Sequence, residues 1–142
     1  MTKFRLHRII EIKEKLIEEK EGELETALHT LNKLSADIRA VEKNIEDTYE
    51  EMTISSLSGG DFSVVKDYIA YLGDKRLLVI EEKEHVERRI FELRANLVEL
   101  MKELKMLETL KSKTFKAIKK SENRKEQKDL DGMALRLGGR RV

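Results

Sequence analysis

Three histidines, adjacent carboxylates such as Glu18-Glu19 and Glu81-Glu82, and one Ser-Gly-Gly-Asp string are the first places to look for chemistry in this 142-residue sequence. His7, His29 and His85 lie far apart, no Cys is present, and no HExxH-type spacing surrounds any of them. A metal ion would lack its second ligand there, and a general base its partner. Glu18-Glu19 and Glu81-Glu82 read as solvated charges on helices whose opposite face is apolar. Ser58-Gly59-Gly60-Asp61 follows no strand, so it reads as a connector and not as a phosphate cradle, and a lone Ser with no His nearby in sequence is weak evidence for a nucleophile. An enzyme is not expected, and neither is a cofactor or a bound metal. The chemistry left to the chain is that of binding surfaces.

Two sets of side chains could form such surfaces. One is a basic stretch: residues 111–142 carry 11 basic and 4 acidic groups, against 9 and 13 in residues 1–52 and 9 and 11 in residues 53–110, so the formal charge of +1 hides a strongly positive C-terminal part. The other is aromatic: Tyr49, Tyr68 and Tyr71 flank the Gly-Gly string. Phosphate neutralisation by the basic stretch would make it a nucleic-acid site. Phe115 is its only aromatic, however, and no zipper precedes it in an order that would fork a dimer across DNA, so a protein partner is the better expectation.

Both sets must be positioned by helices. With 40% charged residues, 5% aromatic ones, no Pro and no Trp, the chain is poor material for a globular core and good material for coiled coil. Stepping from Leu6 by four and three reaches Met52 through 14 positions, of which 11 are apolar; Lys13, Lys20 and Thr48 are the exceptions. The same repeat runs from Phe62 to Ile118, apolar at 13 of 17 positions and uninterrupted from Val86 to Leu107. A strict seven-residue repeat implies a left-handed supercoil against a partner helix.

The expected fold is therefore all-α: one coiled-coil domain over 1–142, with helices over 3–52 and 62–137 folded into an antiparallel hairpin by a loop at 53–61. Gly59 and Gly60 would end the first helix, Ser55, Ser56 and Ser58 would compete for its hydrogen bonds, and Asp61 would cap the second. Pairing 52 with 62 places 4 beside 110, so residues from 111 onward should overhang. The lysines in the first seam should lay their stems along it and carry their ammonium groups out to water. No apolar run approaches a membrane span and the first residues do not read as a secretory signal, so a cytoplasmic protein without membrane insertion is expected.

The order of these features resembles the FliJ family, the coiled-coil stalk of the bacterial flagellar type III export apparatus. The likeness rests on the opening Phe4-Arg5-Leu6-His7-Arg8-Ile9-Ile10, on Tyr68 and Tyr71-Leu72 after the connection, and above all on Ser121 to Asp131, which is similar to the family's E-x-x-x-x-K-x-(L/M)-D-E-x-A ending. Gly132 stands where the family has an acidic residue, and Ala134 follows as expected. The resemblance spans nearly the whole chain, and the stalk of the related injectisome is its near alternative. It implies a protein that binds the hexameric export ATPase, a membrane export gate protein and export chaperones, promotes ATPase assembly and activity, and sits peripherally at the inner membrane below the flagellum. On this chain it implies an ATPase-ring surface of Arg5, Leu6, Ile9, Arg124, Lys125, Lys128 and Leu130, and an export-gate surface of Tyr49, Tyr68 and Tyr71. Nucleic acid is not among the implied partners.

Overall fold

The residues described by the computed structural model are 2–55 and 58–139, with side chains from 5–55 and 58–138. Ser56, the side chain of Phe4, and Arg140 and Arg141 thus lie outside the described residues. Two helices account for almost all of the rest: α1, Thr2–Ile54, and α2, Gly59–Gly139. No strand occurs among the described residues, and the fold is all-α.

The start of α2 departs from expectation for a reason of capping. The Asp61 amide donates to Ser58 Oγ at 3.3 Å, the Ser58 hydroxyl donates to Asp61 Oδ2 at 2.9 Å, and the Phe62 amide donates to the Ser58 carbonyl at 2.9 Å. Ser58 is the cap, therefore, and Asp61 is the third helical residue, where its charge also meets the positive end of the helix dipole. Gly59 and Gly60 form the first turn instead of the connection, and no described glycine has a positive φ. The short Ser hydroxyl outcompetes Asp61 because capping from position 58 lets the helix gain three more residues.

Contacts group the chain into two compact units, one of α1 up to Glu18 with α2 from Val98 onward, the other of Glu19–Leu97. In the Glu19–Leu97 unit the helices run antiparallel: Arg89 Nη2 donates to Glu23 Oε2 at 3.2 Å and Arg76 Nε to Glu42 Oε1 at 3.0 Å. Leu34, Val41, Leu72, Ile90, Leu93 and Leu97 are buried between them, each a position of the four-three repeat. Leu93, 1% exposed, is the most completely enclosed large side chain described. Arg76 belongs to the same repeat and is half-buried, its guanidinium reaching out of the seam to the acidic flank of α1.

The other unit is also antiparallel. Lys13 Nζ meets Glu103 Oε2 at 2.6 Å and Lys111 Nζ donates to His7 Nδ1 at 3.3 Å, while Leu6, Ile10 and Ile17 are buried beneath. Lys13 lies along the seam as expected, and its ammonium ends on a carboxylate of the opposite helix as well as at the water boundary. All 14 repeat positions of α1 are buried or half-buried, and in α2 only Phe62 and Ile118, the first and last, are exposed. The heptad pattern therefore maps onto the packed face with a single seam per helix.

The overhang begins later than the register predicted. Lys111 reaches His7, Thr114 is half-buried, and Leu6, Ile10, Phe115 and Ile118 line one apolar depression of about 320 Å³ between the helices. Only from Lys119 onward is α2 without cover, and every described side-chain-bearing residue from there to Leu137 is exposed. Long basic side chains reach a turn along the axis, and α1 already begins at Thr2, so its first turns cover four to eight residues more of α2 than a rung-by-rung count allowed.

Candidate functional site

The tyrosines and the basic stretch occupy different parts of the chain. Tyr68 and Tyr71 are three residues apart on α2, hence on one face, and their rings stack with centroids 6.4 Å apart and planes at 26°. Tyr49 lies on α1, seven residues on from Glu42, whose carboxylate meets Arg76 of α2. All three tyrosines are exposed, Tyr71 at 60%, while Val65, Ile69 and Leu72 take the seam positions beside them. The rings therefore do not close the end of the core.

A wider stripe goes with them. Val64, Tyr68, Tyr71 and Leu78, spaced by four, three and seven, are all exposed on α2. Sequence reasoning missed Val64 and Leu78. The signal was present as a second four-three series displaced by one residue from the seam at 65, 69 and 72, about 100° round the helix.

The seven residues of the ring-facing set are divided by the structure. Arg5 and Ile9 are exposed, whereas Leu6 is 8% exposed and belongs to the depression shared with Phe115 and Ile118, so it supports the surface from below. Ile12, three residues after Ile9 and also exposed, extends the patch that the sequence reading stopped at Ile9. Arg124, Lys125 and Lys128 are exposed, and among the described residues none of them has an ion pair. Arg124 and Lys128 share a face at four-residue spacing, with Lys125 on its flank. Leu130 does not join them: with Met133 and Leu137 it forms an exposed apolar stripe more than a third of a turn away. The C-terminal part of α2 thus carries exposed basic and exposed apolar side chains, and no helix covers them among the described residues.

The histidines offer little besides. His7 donates or accepts within a short chain from Glu11, whose carboxylate is 3.0 Å from Nε2, to Lys111, and no group of three His, Asp or Glu side chains among the described residues could hold a metal ion. No helix is long and apolar enough to cross a membrane among those residues.

The chain is an all-α hairpin of two long helices with exposed aromatic and basic side chains. The family model for flagellar FliJ protein matches residues 2–142, and the chain belongs to the FliJ family. It is accordingly a component of the flagellar protein export apparatus, in a family of structural export proteins. Comparison with curated proteins and with solved structures returns no match.

Proposed function

We propose that this chain is the stalk of the flagellar export apparatus: it binds the hexameric export ATPase through the C-terminal part of α2 and the exposed start of α1, and a membrane export gate protein through the tyrosine stripe. The observation that carries this reading is the stretch of α2 beyond Ile118, a continuous helix with an excess of basic side chains, exposed apolar ones, and no intramolecular cover among the described residues. Arg124, Lys125 and Lys128 supply long-range attraction to acidic ring loops without burying apolar area that would fix one orientation. By binding one ring conformation better than the others, the stalk raises ATPase assembly and turnover. Export chaperones are further partners, and the protein sits on the cytoplasmic side, held peripherally at the membrane by the gate. Leu6 serves this reading as a support, with Arg5, Ile9 and Ile12 making contact and Leu130 contributing through the separate apolar stripe.

The gate half is tested by substitution of Tyr49, Tyr68 and Tyr71 with Ala. Because the rings stand outside the seam, far-ultraviolet circular dichroism should be unchanged while affinity for the purified gate protein falls tenfold or more. Loss of helicity would make the tyrosines structural, and unchanged affinity would remove them from the gate surface.

A further inference from the structure

Between residues 102 and 113 the face of α2 that looks away from α1 carries exposed apolar and basic side chains. Lys102, Met106, Thr109 and Lys113 step by four, three and four, the same rhythm as Leu100, Leu104, Leu107 and Lys111 two residues earlier. A two-residue displacement is about 200° round the helix, so this second series lies opposite the seam. Met106 is 70% exposed, Leu110 beside it is also exposed, and together with Lys102, Lys105 and Lys113 they line an open depression to which no acidic residue contributes. Among the described residues, none of these three lysines has an ion pair.

We infer that this face is a docking surface for an amphipathic helix of a partner protein, with leucine-type residues seated on Met106 and Leu110 and carboxylates on its flanks paired with Lys102, Lys105 and Lys113. Two exposed apolar side chains bordered by three lysines offer an acidic amphipathic helix both apolar contact and ion pairs. Thr109, the smallest side chain of the strip, allows close approach between Met106 and Leu110. The charge selects the partner: an acidic helix gains attraction and a basic one is repelled. The inference depends on neither the ATPase nor the gate reading, since it uses residues outside both surfaces.

The test uses the full chain and two synthetic fluorescein-labelled helical peptides of three heptads, both with leucines on one face, one flanked by glutamates and the other by lysines. Fluorescence anisotropy should show the glutamate peptide binding at least tenfold more tightly. Met106→Ser with Leu110→Ser should weaken it tenfold or more at unchanged helicity, and Lys102→Glu, Lys105→Glu and Lys113→Glu together should reverse the preference. Equal binding of both peptides would overturn the proposal. So would binding that survives the serine substitutions, which would place the peptide on the basic stretch beyond Ile118. Concentration-dependent dimerisation of the chain that those serines abolish would also overturn it, by making a second copy the occupant.

Discussion

Leu93→Ala should lower the free energy of unfolding by about 2–5 kcal/mol, the range for removing a fully enclosed leucine. Leu93 is 1% exposed within the Glu19–Leu97 unit, where Ala27 on α1 is small and Gly22 carries no side chain to move into the space left behind. A two-helix core is thin, and water can enter part of the cavity, which sets the expected value toward the lower end. Phe91, two residues away and 74% exposed, is the contrast: Phe91→Ala should change stability by no more than about 0.5 kcal/mol. Urea titration followed at 222 nm measures both. Similar losses for the two variants would mean that α2 packs through a different face from the one described.

Joint replacement of Arg124, Lys125 and Lys128 by Gln should raise the concentration needed for half-maximal stimulation of the export ATPase about 10- to 100-fold at low salt, as expected for losing three exposed charge contacts to an oppositely charged surface. The three side chains are uncovered and have no ion pairs among the described residues, so helix content and thermal transition should stay as they were. The gap between the parent chain and the variant should narrow as salt is raised toward 0.5 M, because the Debye length then falls to roughly 4 Å. A salt-independent loss would point instead to the apolar stripe of Leu130, Met133 and Leu137.

The seam was legible because heptad spacing is a direct record of which side chains leave water, and from Leu6 to Thr114 every repeat position except Phe62 is at least half-buried. Even Lys13, Lys20, Arg76 and Lys83 keep their places in it, since a long basic stem can cover apolar surface while its end finds water or a carboxylate. The cap was not legible, since Ser58 and Asp61 both have the side chains for the role and only the geometry of the turn decides between them. The extent of the overhang depended on reach: His7 and Lys111 meet although a rung-by-rung count sets them four residues apart. Of the candidate sites, the tyrosines and the basic residues were visible as composition. Their division into faces was not, because Leu130 is close to Lys128 in sequence and far round the helix from Arg124, and because Leu6 looks like a surface residue of the opening motif until Phe115 and Ile118 are seen beside it.

The measurement that bears most directly on the stalk reading is ATP hydrolysis by the purified flagellar export ATPase, titrated with the full chain and with a version ending at Ile118. That end point keeps Lys111, Phe115 and Ile118 against the start of α1 and removes only the uncovered part of α2. The expected result is stimulation by the full chain and none by the shortened one, with the same thermal transition for both. Equal stimulation by the two chains, or none by the full chain, would contradict it.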